Sequence, residues 1–458
     1  MISAKTDLRH DTLPEETRVK RQKRDPWRWG GKGERISSSR HVLGIAIGDV
    51  GVSMALCRVN DAGGIYPFSV QSAPFPNQWD GVPALEELGQ TISTVYERVR
   101  QDSWGPISAV FLCLPSWNIK KRDFQYEFPV HPPFAEIRQE HLDTMMSLIQ
   151  QVAVAGSDVI IDVVPQFYLL DNVKKVQTPL GMVAEKIELH ALLLLTDRGT
   201  VQSLLDVLRK LNLTISDLVS PQVAAGCGVL TPDEWEAGVV LVDIGQQNTC
   251  CSYYYGGRMF NSHVIPIGGR AISLDIARAL QTSCNRIDVV ADRKRELLLL
   301  PSRSDGNVSL QPFGSQELAR IPIREIDNVI GYSIERLLGG LIESLQIAQG
   351  YMDFATAGMV FTGENSLALR GIMEVARRRI NMPVRIGYPR HIDDYQSHAL
   401  NSPDYARLVG VIHHSFNRKS ENKDYLEHFY ETPGDHLRKE IKRIIRHRMQ
   451  IFLDQHLR

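Results

Sequence analysis

No run of about 18 apolar residues occurs in the chain, so a membrane-spanning helix is not expected. The N-terminus is polar and lacks the apolar stretch of a secretory signal. An excess of one charge is missing too. Against 52 Lys and Arg stand 53 Asp and Glu, a net charge of −1, which excludes a whole-molecule field of the nucleic-acid-binding kind. Electrostatic targeting then has to come from local segments. Cysteine is sparse: Cys57, Cys113, Cys227, Cys250, Cys251 and Cys284 are scattered, with no CxxC pair. That fits a reducing cytosol better than a disulfide framework or a zinc site. Cys250 and Cys251 point to opposite faces of one strand and read as buried. What remains is ordinary globular material, 43% hydrophobic and 23% charged over 458 residues. At roughly 150 residues per domain, the length allows two or more packed lobes.

Residues 1–40 read as a disordered basic tail. They hold eleven Lys or Arg against six Asp or Glu, with Trp27 and Trp29 but no periodicity. Order begins at "HVLGIAIGDVGVSMALCRV": a strand, a turn at Gly48 to Gly51, and a second strand. "GVVLVDIGQQNTCCSYYYGG" repeats that plan, and Ile47-Gly48 falls on Ile244-Gly245, 197 residues further on. Alone, the second hairpin tip reads either as a β-turn with Gly245 supplying an unusual φ, or as a phosphate cradle with Asp243 facing a metal. The matched pair favours the cradle. Two copies imply a duplicated α/β domain, with hairpins 44–58 and 241–256 facing each other across a nucleotide cleft.

Between the hairpins, "AVFLCLP", "DVIIDVVPQFYLL" and "IELHALLLLT" read as strands. "EIRQEHLDTMMSLIQQVA" reads as an amphipathic helix with Ile137, Leu142, Met145, Met146 and Ile149 on one side, and "RGTVQSLLDVLRKLNL" as another helix. After the second hairpin come "IPIGGRAISLDIARALQ", the helix "REIDNVIGYSIERLLGGLIESLQIA", and the strand–turn–helix "GMVFTGENSLALRGIMEVARRRI".

This order of motifs resembles the actin-like ATPase superfamily and, more narrowly, the bacterial cell division protein FtsA family. "VVPQFYLLD" followed by "TPLGM", "VSPQVAAGCGVLTPDEWEAGVVLVDIG", "HVIPIGGRAISLDIARALQTS" and "MVFTGENSLALRGIMEVARRRINMPVRIGYP" carry the likeness, over about residues 42–412. The resemblance implies an α/β fold of the actin-like, ribonuclease H-like, duplicated two-lobed type with a small inserted subdomain. It divides the chain into lobe 1 (41–113), an inserted assembly and partner subdomain (114–196), the completion of lobe 1 with a connecting helix (197–240), lobe 2 (241–412), and a linker (413–433). It implies ATP and magnesium as cofactors, here bound weakly or not at all, with Gly48, Asp49, Asp243, Gly245, Thr249, Gly268, Gly269, Asp288, Thr362 and Gly363 as cofactor-facing positions and Asp243 as the metal-orienting one.

Departures from the family pattern concentrate on that chemistry. Ala46 stands in place of the first hairpin's aspartate, Cys250 in place of the second hairpin's later one, and Gln246, Gln247 and Asn248 in place of small turn residues. Ala291 replaces the ribose-side lysine, and Glu364 the second glycine of the adenosine motif. Magnesium-dependent hydrolysis is an electrostatic task for positioned carboxylates, so absent or very slow ATPase activity is expected.

Residues 434–458, "GDHLRKEIKRIIRHRMQIFLDQHLR", read as a basic amphipathic helix with Asp435 as N-cap. Leu437, Ile441, Ile444, Ile445, Phe452 and Leu453 form one stripe; Arg438, Lys439, Lys442, Arg443, Arg446 and Arg448 line the other face. Such a helix can lie in an anionic membrane surface. The resemblance implies a peripheral protein on the cytoplasmic face of the cell membrane at the division site. Its partners would be an FtsZ-like polymer, other divisome proteins and further copies of itself. Alternatives are a pilus-assembly ATPase like PilM or an actively hydrolysing actin-like protein. A sugar- or acetate-kinase-like transferase fits least, for want of a first-hairpin aspartate and a substrate-side base.

Overall fold

A computed structural model describes residues 41–59, 65–76, 84–102, 105–152, 157–282, 307–314, 317–347, 355–364, 370–380, 382–390, 392 and 399–417. The basic tail 1–40, Asp288, Ala291 and the whole terminal segment 434–458 lie outside the described residues.

The first lobe opens with β1 (His41–Ile47), β2 (Gly51–Val59) and β3 (Ile65–Pro74), an antiparallel meander. Helix α1 (Leu85–Gln101) follows, burying Leu88, Ile92, Val95, Tyr96 and Val99 at helical spacing. β4 (Ile107–Cys113) then returns parallel to β1. The inserted unit comprises β5 (Lys120–Pro129), β6 (Ala135–Glu136), α2 (Gln139–Val152), β7 (Asp158–Leu170), β8 (Lys174–Val176), β9 (Val183–Ala184) and β10 (Lys186–Asp197). Its sheet runs β5-β10-β7-β8 and is antiparallel. Leu142, Met145 and Ile149 of α2 pack with Tyr168, Leu189 and Leu193 in one core. Ile137, grouped with that helix by sequence, is buried in the same core but precedes the helix, which starts at Gln139.

Lobe 1 is completed by α3 (Arg198–Lys210) and β11 (Asp217–Val219), the latter parallel to β4. The Asp197 side chain caps α3 by accepting from the Thr200 amide. Connecting helix α4 (Pro221–Val229) starts from Ser220 with proline in its first turn. α5 (Pro232–Ala237) starts at a capping box of Thr231 and Glu234.

The second lobe repeats the first. β12 (Val239–Ile244), β13 (Thr249–Tyr255) and β14 (Arg258–Ile265) form the meander, and α6 (Gly269–Ala279) follows. β15 (Asn307–Leu310) and β16 (Ala319–Pro322) form a small ribbon before α7 (Ile323–Ile347). β17 (Met359–Thr362), α8 (Arg370–Arg379), β18 (Val384–Ile386) and α9 (Ala406–Asn417) complete the described fold. The two large sheets run β3-β2-β1-β4-β11 and β14-β13-β12-β17-β18. In each, the first three strands are antiparallel neighbours and the last two add in parallel. The repeated hairpin in the sequence is therefore the outer sign of a repeated sheet. Cys250 and Cys251 are both buried and free.

α9 belongs to lobe 1 as much as to its own. Its Leu408, Val409, Val411 and Ile412 share a core with Val42, Ala46 and Ala55 of the first hairpin and Val223 to Ala225 of α4. Backbones meet here because the contact positions are glycines. A Cβ on Gly410 would lie 2.6 Å from the Ala224 carbonyl carbon and 2.9 Å from the Gly228 amide nitrogen. Among the described residues, no helix is long and apolar enough to cross a membrane.

Candidate functional site at the facing hairpin turns

Each hairpin turn closes on a glycine. The Gly48 amide donates to the Gly51 carbonyl at 2.9 Å, and the Gly245 amide to the Asn248 carbonyl at 2.9 Å. Neither aspartate at these turns reaches solvent: Asp49 is 1% exposed and Asp243 2%. A plain β-turn would leave Asp243 in solvent, and it is not there.

Asp49 joins the two lobes. One of its oxygens accepts from the Ser116 hydroxyl at 2.8 Å, the other from the Gln247 backbone amide at 3.1 Å. A Cβ on Gly245 would come within 2.5 Å of that second oxygen, so the carboxylate lies directly against the second turn. Backbone amides of such a turn are what would bind an anion, and here the anion is a side chain of the same protein.

Asp243 is held by α9. The Arg407 Nε donates to Asp243 Oδ2 at 2.7 Å, with both side chains almost fully buried. Burial works against the guanidinium charge, but the Asp243 and Asp49 carboxylates outweigh it and hold Arg407 well above its ordinary range. Glu364 closes the cluster. A Cβ on Gly48 would collide with its Oε1 and lie 3.0 Å from its Cδ, so the Glu364 carboxyl occupies the space over the first turn. Burial, then the Asp49 carboxylate, push its pKa up to about 8, so at neutral pH it is chiefly the neutral acid. Four polar side chains in this cluster carry buried atoms with no hydrogen-bond partner: Asp243 Oδ1, Gln247 Nε2, Glu364 Oε2, and Nη1 and Nη2 of Arg407.

The remaining sequence-predicted positions among the described residues fall around the same place, and the two threonines are engaged internally. Thr249 Oγ1 donates to the Ile267 carbonyl at 2.7 Å, and Thr362 Oγ1 to the Gly387 carbonyl at 3.0 Å. Gly268 lies so close to the second turn that a Cβ would come 2.6 Å from the Gln246 carbonyl. The first amides of α6, Gly269 and Arg270, donate to the Gly245 and Gln246 carbonyls at 3.0 and 2.8 Å. Gly363 takes φ +98, a left-handed backbone that favours glycine, and a Cβ there would strike Asp243 Oδ1. Cys250 faces Asp243 across the β12–β13 ladder. Burial and then the Asp243 charge push its thiol up to about 12, so it offers no thiolate for ligation or proton transfer.

These residues do not fit a magnesium nucleotide in the arrangement seen. The Gln247 amide and the space over Gly48 are taken by carboxyl groups, one Asp243 oxygen is taken by Arg407, and both Asp49 oxygens are engaged. Among the described residues, no group of three or more His, Cys, Asp or Glu is placed to hold a metal ion. Sequence reasoning missed Arg407, Ser116 and the inward direction of Glu364. The signal for Arg407 is the lone charge in the apolar run "YARLVGVI".

Two like sheets, hairpins facing one another and a connecting helix between them define an actin-like α/β protein. The PilM–PilN type IV pilus biogenesis complex contains a chain with this fold: TM-score 0.57 at 15% identity, covering 81% of the present chain and 97% of that one. Family models separate the possibilities within the fold. "Cell division protein FtsA" matches residues 240–410, and "SHS2 domain inserted in FTSA" matches residues 118–195. Relatives described as cell division protein FtsA are 24% identical in Pseudomonas aeruginosa, over 84% of this chain and 92% of that one. In Bacillus subtilis the identity is 27%, over 72% of each chain. The chain is a divergent member of the FtsA family.

Proposed function

We propose that the protein is a membrane-attached, actin-like scaffold of bacterial cell division. It would tether FtsZ polymers to the inner face of the cytoplasmic membrane and recruit other division proteins, self-associating through its actin-like body. The observation that carries this is the joint match of the FtsA lobe and the FtsA-specific inserted domain in one chain. The basic amphipathic pattern of residues 434–458 supports a tether: six cations in eleven positions opposite an aliphatic stripe. ATP hydrolysis is absent or very slow in this reading, because Asp243, the matching carboxylate that remains, is engaged by Arg407.

The test is sedimentation with vesicles rich in anionic lipid. The full chain pellets with them; a chain lacking 434–458, or carrying Ile444→Glu and Ile445→Glu, stays in the supernatant. Each buried aliphatic side chain contributes about 1.5–3 kcal/mol, so losing two costs more than tenfold in partitioning. Binding falls as salt rises and leaves an apolar remainder that salt does not remove. FtsZ polymers added to the supernatant should pellet only with vesicles that carry the full chain. If the truncated protein sediments as well as the intact one, the anchor is not this helix.

A further inference from the structure

The misfit between this cleft and a magnesium nucleotide has its own logic: each role a nucleotide would play between the lobes is filled by a side chain. An actin-like cleft has two turns that must be bridged by something anionic, and carboxylates whose repulsion must be offset by something cationic. Here Asp49, from the lobe 1 turn, accepts the lobe 2 Gln247 amide at 3.1 Å. Ser116, at the end of the lobe 1 sheet, donates to its other oxygen at 2.8 Å and fixes its direction. Arg407 brings a buried positive charge to Asp243 at 2.7 Å. Glu364 fills the volume over Gly48.

We infer that the cleft is latched shut by the protein's own residues, Asp49 standing in for a bridging phosphate and Arg407 for the metal cation, so that lobe closure is independent of nucleotide. The inference rests on reading this cleft as the fold's nucleotide site, and it does not depend on the membrane or FtsZ proposals. The bridge is local and long-range at once. Asp49 and Gln247 sit on the turns of different lobes, so their contact exists only when the lobes are docked. Arg407 reaches Asp243 from α9, whose apolar face packs on the first hairpin and α4. A nucleotide would meet a site in which the turn amide is already taken and the carboxyl groups outnumber the one guanidinium. It would have to displace Asp49 to enter. The apparent association constant would be the intrinsic one multiplied by the fraction of time the latch is open.

The experiment measures closure directly. Exposed positions on α1 and α8, Glu97→Cys and Arg377→Cys, carry spin labels in a background with Cys227→Ser and Cys284→Ser; the distance distribution is read by double electron–electron resonance. The expected wild-type result is one narrow distribution without nucleotide, unchanged by millimolar magnesium-ATP, with Tm also unmoved. Arg407→Leu leaves Asp243 buried and uncompensated; its distribution should broaden and its Tm fall by about 10 °C. Asp49→Asn keeps the shape and removes the anion, and should broaden the distribution with a smaller loss of Tm, so the test survives if Arg407→Leu does not fold. A wild-type distribution that narrows with magnesium-ATP would overturn the inference, as would one unchanged in Asp49→Asn. Failure of the vesicle test leaves these readings untouched, so the two proposals fall separately.

Discussion

The site depends on how closely α9 approaches α4, and a single methyl group tests that approach. At Gly410→Ala the new Cβ would stand 2.6 Å from the Ala224 carbonyl carbon, nearer still to its oxygen, and 2.9 Å from the Gly228 amide. These are backbone atoms, so no rotamer change relieves the clash, and the helices must part by about 1–2 Å. Forced overpacking of this kind costs roughly 1–3 kcal/mol. Separation also loosens the buried Leu408, Val409, Val411 and Ile412, and removes dispersion contacts that fall steeply with distance. Against this stands the intrinsic preference of a helix for alanine over glycine, about 1 kcal/mol. The expected balance is a loss of about 0–2 kcal/mol from these two effects, to which the loosened contacts add. The control is Gly339→Ala in α7, where nothing lies within 4 Å of the added Cβ. That change should stabilise by about 0.5–1 kcal/mol. Urea denaturation of the two variants against wild type gives both numbers. The reasoning is refuted if Gly410→Ala unfolds at a midpoint equal to or above that of Gly339→Ala.

Three further outcomes are expected. The Glu364 carboxyl is raised from its ordinary 4.5 to about 8, by burial and then Asp49, with Arg407 opposing and Asp404 and Asp243 adding. A folded state that holds this proton loses stability as pH rises from about 4.5 to about 8 and levels off above, by up to a few kcal/mol at about 1.36 per pKa unit. Glu364→Gln should flatten that slope between pH 5.5 and 8.5; equal slopes in both proteins would show that the carboxyl titrates normally. Arg385 pairs in a fork with Glu234, Nε to Oε1 and Nη2 to Oε2 both at 2.6 Å, and Nη2 also meets the Val229 carbonyl at 3.0 Å. With Arg385 partly exposed, Arg385→Ala should cost about 1–2 kcal/mol; Arg385→Lys should recover less than half, and full recovery would mean the planar fork is irrelevant. Phosphate release from magnesium-ATP should be no faster in wild type than in Asp243→Ala, and robust turnover abolished by that change would assign Asp243 to catalysis instead.

The sequence made the strand hairpins legible because their signal is local: an apolar run, a glycine where the turn needs one, and the same pattern again. The inserted sheet was visible for a like reason, since β7 and β10 are long apolar runs with strand composition. Partner choice was not local. Nothing within ten residues of Asp49 says that its acceptors will be met by Ser116 and by an amide from the other lobe. Asp49 therefore read as a carboxylate facing a cofactor. The lone charge of Arg407 in an apolar run marks it as buried, but does not say what it pairs with. Its position is set by glycine contacts between α4 and α9, and Gly228 and Gly410 carry no chemical signal of their own. Glu364 was noticed as a replaced glycine, but whether an acid at a turn points out or in depends on what stands opposite, here Gly48.

The substitutions in the two turns are better understood together than one by one. Ala46 and Cys250 stand where carboxylates would be expected, which by itself removes negative charge from the cleft. The folded chain shows the reverse balance: Asp49, Asp243 and Glu364 converge there and a single guanidinium answers them. Holding Glu364 as the neutral acid, and giving Asp49 two hydrogen-bond donors, is what makes that excess tolerable away from water. Within that arrangement the Asp49–Gln247 bond exists only while the lobes are docked. Restoring the lost carboxylates singly, as Ala46→Asp or Cys250→Asp, would add another buried negative charge with no new cation. Each should therefore destabilise the fold by several kcal/mol rather than revive hydrolysis. Cys250→Asp with Arg407 left in place is the sharper case, since residue 250 pairs directly with Asp243 in the β12–β13 ladder. A variant of this kind that folded as stably as wild type and turned over ATP would mean that the cleft opens to magnesium without help, and that Arg407 is not its resident cation.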